Sequence, residues 1–203
     1  MTVLGLTGKS GSGKSVVADY LKQFSASVID CDKLYSEMVS SPSECTQKIA
    51  SVFGTEVLNS DGSLNRKALG ALVFGKQNKS RLELLNRTVH PLVLKRIREI
   101  LNELSKSGCK LCVIDAPQLF EAGVNSICDY TLAVTAHQDL RIDRIVNRDN
   151  ISVDSAKARI SSQLEDSYFV MNADFVIDNS SSLDELYLAV DNVLKKICVN
   201  GEK

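Results

Sequence analysis

Near its start the chain reads Gly8-Lys9-Ser10-Gly11-Ser12-Gly13-Lys14-Ser15. A glycine, four unconstrained positions and then Gly-Lys-Ser are typical of a loop that binds phosphate groups. The apolar residues 3–7 before it predict a buried strand, and apolar residues at helical spacing from Val17 to Phe24 predict a helix behind it. The pattern therefore lies in a turn from strand to helix, where its mechanism requires it. A flexible glycine turn is the alternative interpretation.

The residue types of this loop, residues 8–15, suit phosphate binding. Glycines allow successive backbone N–H groups to converge on one concavity, and the helix N-terminus adds positive potential there. We expect Lys14 to reach the outer phosphates of a nucleotide and the Ser15 hydroxyl to ligate Mg²⁺. The loop by itself predicts a nucleotide site but no particular reaction.

The composition limits the classes of protein that remain. The chain has 203 residues, 44% hydrophobic and 24% charged, which suits one well-buried domain with a smaller lobe. A formal net charge of −1 argues against electrostatic binding to nucleic acid or to an anionic membrane. We see no secretory signal and no apolar run long enough to span a bilayer, so we expect a cytoplasmic protein. The oligomeric state stays open, with a monomer as the simplest expectation.

The 6 cysteines are scattered and lie mostly in apolar segments. Cys109 and Cys112 have the Cys-x-x-Cys spacing of redox or zinc sites, but no second pair lies nearby to complete a zinc site. In a strand, positions three apart face opposite sides. We therefore interpret these cysteines as reduced, partly buried thiols.

Strands and helices alternate over much of the chain. Strands are predicted at residues 3–7, 26–30, 111–115, 130–135 and 175–178, and a capping box, Ser182-x-x-Glu185, begins the last helix. The alternation predicts a three-layer α/β/α sandwich around a five-stranded parallel sheet. We assign residues 1–32 and 109–203 to the nucleotide-binding core of a single domain.

Residues 33–108 interrupt this alternation with helical patterns only. Asn65 can cap one helix, a short helix is predicted at residues 82–89, and Pro91 suits the first turn of a long helix that ends at Gly108. Such a segment is typical of a substrate-binding lobe. A helical hairpin at residues 138–163, with helices near 139–148 and 153–163, is predicted to be a lid.

Carboxylates follow two of the strands, at the sheet edge where ligands of such folds collect. Asp32 can accept the proton of an attacking hydroxyl, and Asp30 can do the same, unless one of them only caps the next helix. Asp115 can hold Mg²⁺ directly or through water, near the Ser15 hydroxyl. A carboxylate that caps the loop before Pro117 is the alternative for Asp115.

Basic side chains offer two further interpretations. Arg141, Arg144 and Arg148 share one face of a predicted helix, and Arg159 lies on the next. They can offset transition-state charge as part of a lid, or pair with nearby aspartates on a solvated face. His90 can contact substrate or cap the helix that begins near Pro91.

Taken in order, these motifs resemble the dephospho-coenzyme A kinases over nearly the whole chain. The matching segments beyond the loop include Val28-Ile29-Asp30-Cys31-Asp32, Asp61-Gly62-Ser63-Leu64-Asn65-Arg66, His90-Pro91, Asp115-Ala116-Pro117, Gln138 with Arg141 and Arg144, and residues 173–179. The resemblance implies transfer of the γ-phosphoryl group of ATP to the ribose 3′-hydroxyl of dephospho-coenzyme A, the last step of coenzyme A synthesis.

The resemblance also implies roles for individual residues. By the family pattern, Asp32 would be the catalytic base and the lobe at 33–108 would receive the coenzyme. Together with the residue patterns above, we expect Lys14 and Arg141 to be catalytic as well, and Ser15 and Asp115 to hold Mg²⁺. We expect Asp32, Arg66 and His90 to bind the coenzyme. The family's ATP-binding segment falls on residues 11–16, and the loop pattern adds Gly8. The expected ATP-binding residues are therefore Gly8, Gly11, Ser12, Gly13, Lys14, Ser15 and Val16. Lys9, Ser10, Val16, Gln118 and Phe169 depart from the residues usual in the family.

Two other functions fit the loop. A related nucleoside monophosphate or small-metabolite kinase would share the sheet and differ in the helical lobe. A nucleotide-dependent binding module would lack phosphoryl transfer; a GTPase-type module would need a guanine-selecting Asn-Lys-x-Asp motif, which this sequence does not contain.

Overall fold

The computed structural model describes residues 1–200, except for the side chains of Lys76 and of residues 198–200. Its sheet has the strand order β2-β3-β1-β4-β5 and is parallel, with helices on both faces. The strands are β1 (Thr2–Thr7), β2 (Ser27–Asp30), β3 (Leu111–Asp115), β4 (Tyr130–Thr135) and β5 (Phe175–Asp178). The predicted three-layer sandwich with a five-stranded parallel sheet is confirmed.

α-Helices connect these strands in the described chain except between β3 and β4, where the connection contains a short 3-10 helix, Val124–Ile127. The α-helices are α1 (Lys14–Lys22), α2 (Cys31–Met38), α3 (Glu44–Phe53), α4 (Arg66–Val73), α5 (Lys79–Lys106), α6 (Gln138–Asp149), α7 (Val153–Ser161), α8 (Asp166–Asn172) and α9 (Leu183–Asn200). Among residues 1–200, no helix combines the length and the apolar character that crossing a bilayer requires.

The central strands are apolar at consecutive positions because helices cover both of their faces. Leu4 and Leu6 of β1 are fully buried in a cluster that also contains residues of α1 and α9. On the opposite face, a Cβ at Gly5 would approach Leu119 and Cys128 within about 3 Å. The absence of a side chain at Gly5 thus lets the segment after β3 pack closely on β1.

The chain divides into two compact units. The first comprises residues 1–29 and 103–203 and contains most of the sheet; the second comprises residues 30–102. The second unit has a hydrophobic cluster of its own, contributed by α3, α4, the first half of α5 and the segments between them. In that unit the Asn65 side chain accepts a hydrogen bond from the Ala68 N–H and caps α4, as predicted.

The prediction of two helices on either side of His90 is wrong. Residues 79–106 form one helix, α5, with Pro91 in its interior. Proline lacks the N–H that would bind the carbonyl four residues earlier, at a cost of about 3 kcal/mol in a helix interior. Leu85 and Val89 before it and Ile97 after it are all buried, so packing on both sides holds the helix together. His90 therefore begins no helix, and its interpretation as a cap is also wrong.

The segment after the predicted lid helices contains a helix that the sequence patterns did not predict. The second helix of the hairpin, α7, ends at Ser161, and α8 follows from Asp166 to Asn172. Phe169, one of the departures from the family pattern, is buried in α8 and meets the ring of Tyr168 edge to face. Its aromatic ring thus belongs to the core of this segment.

No disulfide joins the cysteines whose side chains the structure describes. The Cys109 thiol donates to the Leu111 carbonyl at 3.2 Å, while Cys112 is buried in β3, where burial raises the pKa of its thiol to about 12. Among the described residues, no three histidine, cysteine or acidic side chains are grouped to hold a metal. The Cys198 side chain lies outside the described residues.

Candidate active site

The parallel register places the carboxyl ends of the central strands at one edge of the sheet. Leu6 of β1 lies opposite Asp115 of β3, and Thr135 of β4 lies opposite Asp178 of β5. The phosphate loop, residues 8–15, leaves β1 at this edge and enters α1 at Lys14. The N-terminus of α1 therefore points its free N–H groups toward the same edge as Asp115.

Two glycines of the loop are required by both conformation and space. Gly11 and Gly13 have φ angles of 78° and 95°, in the left-handed region that residues with a Cβ rarely adopt. A Cβ at Gly11 would lie 2.7 Å from the Arg141 carbonyl oxygen, and one at Gly13 would lie 2.0 Å from Asn179 Nδ2. The loop thus packs closely against α6 at Arg141 and against Asn179 after β5.

Lys14 and Asp115 meet at the head of α1. The Lys14 ammonium donates to Asp115 Oδ1 in an ion pair whose side chains are 15% and 11% exposed. Asp115 can sit there because its strand is paired with β1, which leads directly into the loop. The buried Asp115 carboxylate thus has a charged partner in Lys14, and its position does not require the alternative role of capping the loop before Pro117.

Three side chains from distant segments bind consecutive residues of the loop. Gln163 Oε1 accepts from the Ser10 N–H at 2.9 Å, and Arg144 Nη1 donates to the Gly11 carbonyl at 3.2 Å. Asn179 Nδ2 donates to the Ser12 carbonyl at 2.8 Å. Asn179 directly follows β5, so the carboxyl-edge rule that selected Asp115 could have selected it as well.

The first turn of α1 contains the remaining loop residues predicted to bind the nucleotide. The side chains of Ser15 and Val16 are exposed, and the Val16 N–H donates to the Gly13 carbonyl at 3.0 Å. Ser12 differs, because its hydroxyl is buried and has no hydrogen-bond partner within the described chain. A buried hydroxyl of this kind fits a site that receives a polar group from a ligand.

The loop departs from the family pattern at Lys9, which is 5% exposed. Its backbone carbonyl accepts from the Ser12 N–H at 3.1 Å, closing a turn within the loop. A residue with a side chain, such as lysine, can therefore occupy position 9 of this turn.

The other arginines of the predicted lid, Arg141, Arg148 and Arg159, fall into two groups. Arg141 is 2% exposed, and its two Nη atoms donate to the carboxylate of Asp166 at 3.1 and 2.9 Å, while its buried Nε has no partner in the described part of the chain. Arg148 and Arg159 both donate to Asp149 at the surface. Hydrogen bonds from Arg148, which has the larger effect, and from Arg159 hold the pKa of Asp149 well below its usual range.

In the second unit, the two candidate bases have different positions. Asp30 Oδ1 accepts from the Lys33 N–H at 2.9 Å and caps α2. Asp32 lies exposed in the first turn of α2. The capping role that the sequence left open for one of these carboxylates thus belongs to Asp30.

The predicted coenzyme-binding residues also lie in the second unit. Arg66, exposed at the start of α4, donates to Ser36 Oγ at 2.8 Å, and its guanidinium lies over the Tyr35 ring at 5.9 Å from the ring centroid. His90 is half-buried in the middle of α5. Arg66 and His90 are thus fixed on helices of the second unit, α4 and α5.

Known proteins resemble the chain in both sequence and structure. The family model for dephospho-CoA kinase matches residues 2–185. A dephospho-CoA kinase from Fusobacterium nucleatum is 35% identical over 195 residues, which cover 96% of this chain and 98% of the relative.

Among solved structures, a protein from Thermus thermophilus is 32% identical with a TM-score of 0.77, covering 96% of this chain and 97% of its own. The dephospho-CoA kinase from Campylobacter jejuni is 25% identical with a TM-score of 0.70, covering 98% of both chains. The activity that follows is ATP-dependent phosphorylation of dephospho-coenzyme A in coenzyme A biosynthesis. With a phosphate loop at the carboxyl edge of its sheet and these relatives along its whole length, the chain belongs to the dephospho-CoA kinase family.

Proposed function

We propose that residues 8–15 bind the triphosphate of ATP and that its γ-phosphoryl group passes to the ribose 3′-hydroxyl of dephospho-coenzyme A. The observation that carries this proposal is the Lys14–Asp115 pair at the head of α1. A cation and a carboxylate, both mostly buried, stand beside free N–H groups of a helix N-terminus. These are the groups that phosphoryl transfer uses to position phosphates and neutralise their charge.

Lys14 is proposed to exchange Asp115 for the outer phosphates of ATP. Its ammonium is a compact point charge that suits phosphate oxygens. The backbone N–H groups of the loop, including that of Gly13, surround the phosphates, and the buried Ser12 hydroxyl supplies a further hydrogen bond. The sites proposed for ATP are thus Gly8, Gly11, Ser12, Gly13, Lys14, Ser15 and Val16, with Val16 contributing only its backbone.

Ser15 and Asp115 are proposed to hold Mg²⁺. A hydroxyl and a carboxylate are oxygen donors of the kind this ion prefers, and Mg²⁺ is usually held by one or two carboxylates together with substrate phosphates and water. When bound, the ion neutralises charge on the phosphates. The described residues show no group of three or more histidine, cysteine or acidic side chains that could hold a metal by themselves. A hydroxyl and one carboxylate nevertheless suit Mg²⁺ in a nucleotide site, because phosphates and water supply the other ligands.

On the acceptor side, Asp32 is proposed to accept the proton of the 3′-hydroxyl. It is exposed in the first turn of α2, and its neighbour Asp30 caps that helix. Arg66 and His90 are proposed to bind the coenzyme. The exposed Arg66 guanidinium suits the anionic phosphates of that substrate, because its fork of N–H donors matches phosphate oxygens.

Arg141 is proposed to offset negative charge during transfer. Its Nε is buried and unsatisfied, which favours a further acceptor, although both Nη atoms are engaged by Asp166. The hairpin at residues 138–163 is proposed to be the lid, and residues 33–108 the coenzyme-binding lobe. A cytoplasmic location and a monomer complete the proposal.

Product analysis tests this function directly. The purified protein is incubated with ATP, Mg²⁺ and dephospho-coenzyme A, and the products are separated and weighed by mass spectrometry. We expect ADP and a coenzyme product heavier by one phosphoryl group, which a 3′-nucleotidase removes. Phosphate on another hydroxyl, or faster turnover of a nucleoside monophosphate or another small metabolite, would overturn the proposed acceptor.

A further inference from the structure

Two side chains hold consecutive carbonyl groups of the phosphate loop. Arg144 Nη1 donates to the Gly11 carbonyl at 3.2 Å, and Asn179 Nδ2 donates to the Ser12 carbonyl at 2.8 Å. Arg144 Nη2 also donates to the Asn179 carbonyl at 3.0 Å, which links the two. We propose that Arg144 and Asn179 are positioning residues that set the peptide orientation of the loop for ATP. This inference rests on the proposed binding of ATP to residues 8–15.

Peptide geometry explains how a bond to a carbonyl controls an N–H group. The peptide unit is planar and trans, so the N–H that follows a carbonyl points to the opposite side. The bond from Asn179 to the Ser12 carbonyl therefore directs the Gly13 N–H away from Asn179. The bond from Arg144 to the Gly11 carbonyl fixes the preceding peptide, whose Ser12 N–H binds the Lys9 carbonyl within the loop.

Asn179 is held in place by its own backbone as well as its side chain. Its N–H donates to the Thr135 carbonyl of β4 at 2.8 Å, its carbonyl accepts from Arg144, and the residue is 4% exposed. Its amide lies so close to the loop that a Cβ at Gly13 would collide with it. A glycine loop pays a large entropy cost on ordering, and a rigid amide at this point limits the conformations it can adopt.

Arg144 differs from its neighbour on the same helix. Arg148 lies one turn further along α6, is exposed and binds Asp149 at the surface. Arg144 is half-buried and directs its guanidinium to the backbone of the loop. Its planar fork reaches two carbonyl oxygens, in different segments, at once. The structure thus assigns Arg144 to the loop itself, in place of a lid arginine that contacts phosphate.

Substitution of Asn179 tests the amide. In Asn179→Ala we expect the KM for ATP to rise about tenfold, as the loss of one buried hydrogen bond implies. The KM for dephospho-coenzyme A should stay unchanged. Asn179→Asp keeps the shape of the side chain but presents a carboxylate to the Ser12 carbonyl when ionised. Its KM for ATP relative to the wild type should therefore rise with pH, because only the protonated carboxyl can donate.

Substitution of Arg144 tests whether its guanidinium must bind the Gly11 and Asn179 carbonyls together. Arg144→Lys keeps the charge but cannot bind two carbonyls with one rigid plane. We expect its KM for ATP to rise about tenfold or more, since hydrogen bonds from charged donors are stronger. A residue that acted only through its charge would be replaced by lysine with little change in this KM.

Asn172→Ala is the matched control, because Asn172 Nδ2 also donates to a backbone carbonyl, that of Tyr168, but at the surface. Its KM for ATP should equal that of the wild type. A Lys14→Ala variant distinguishes failure of the proposed ATP site from failure of the positioning role: wild-type ATP affinity in that variant would overturn the site itself. If Lys14→Ala weakens ATP binding while the Asn179 variants and Arg144→Lys only lower the melting temperature, the positioning role is wrong. A pH-independent KM ratio for Asn179→Asp would contradict it as well.

Discussion

The ammonium of Lys14 binds the carboxylate of Asp115, 101 positions further along the chain. The strand pairing of β1 with β3 brings the two residues together, and both side chains are mostly buried. Each is proposed to bind a ligand of opposite charge, a phosphate or Mg²⁺. The pair neutralises two charges that would otherwise be buried alone, which is costly in a protein interior.

Lys14→Met is predicted to separate the structural effect of this pair from the catalytic one. Removing the ammonium leaves the Asp115 carboxylate buried without a countercharge, so the free energy of unfolding should fall by about 3 kcal/mol. Turnover should fall about 100- to 1,000-fold, as for the loss of one preorganised donor to the transition state. Urea unfolding and a coupled ADP assay measure the two quantities.

The double variant Lys14→Met with Asp115→Asn is the control. It removes the unpaired charge, so part of the lost stability should return while activity stays low. A double variant no more stable than Lys14→Met would show that the pair contributes nothing to stability through charge.

Asp32→Asn is predicted to lower kcat about 100- to 10,000-fold, the usual range for the loss of a general base. The KM for ATP should change little, because the ATP site is proposed to lie on the first unit. Steady-state assays with both substrates provide the measurement. A variant within a few-fold of the wild-type kcat would remove Asp32 from the role of base.

Asp30→Asn is its matched control, two residues away. Asparagine caps helices about as well as aspartate, so α2 should keep its cap and the variant its stability. Both kcat and the urea midpoint should stay near the wild-type values. A large fall in kcat would instead assign the base to Asp30.

Pro91→Ala is predicted to stabilise the protein. Alanine restores the N–H that helix α5 lacks at this position, and the gain in the free energy of unfolding should be about 1–3 kcal/mol, because the lost proline rigidity of the unfolded chain opposes it. Urea unfolding measures the change.

Pro42→Ala is the control. Pro42 lies between α2 and α3, and its replacement should lower the free energy of unfolding by about 0.4–1 kcal/mol. Destabilisation by Pro91→Ala would mean that the helix needs its proline.

Buried thiols predict a loss of stability at alkaline pH. Burial raises the pKa of Cys112 and of Cys128 to about 12, whereas unfolded thiols titrate near pH 8.5, an approximate reference value. The folded state thus favours neutral thiols, so their contribution is complete below about pH 8 and is lost as the pH rises toward 12. Above about pH 9, ionisation of each thiol in the unfolded chain should lower the free energy of unfolding by up to about 1.4 kcal/mol per pH unit.

Urea unfolding of the wild type and of Cys112→Val between about pH 7.5 and 10.5 checks this slope. Tyrosines and lysines titrate in both proteins, so the difference between the two slopes isolates one thiol. The slope should be shallower in Cys112→Val. Equal slopes would mean that the Cys112 thiol ionises as readily in the folded protein as in the unfolded chain.

Local patterns in the sequence predicted most of the architecture. The strands that lie buried between helices are continuous apolar runs, and the alternation of strands with helices requires a parallel sheet. The edge rule for such sheets then selected the phosphate loop and Asp115. The helix through Pro91 escaped prediction because local propensity opposes it and only packing around Leu85, Val89 and Ile97 sustains it.

By itself, the sequence determined the sheet, the phosphate loop and the family, because these depend on residues adjacent in the chain or on their order. Only the tertiary structure decided which partner each charged or polar side chain has. Lys14 binds Asp115, Arg141 binds Asp166, and Asn179 binds the Ser12 carbonyl across 167 positions. A side chain's composition defines what it can bind, but burial and chain packing decide which group lies within hydrogen-bond distance of it.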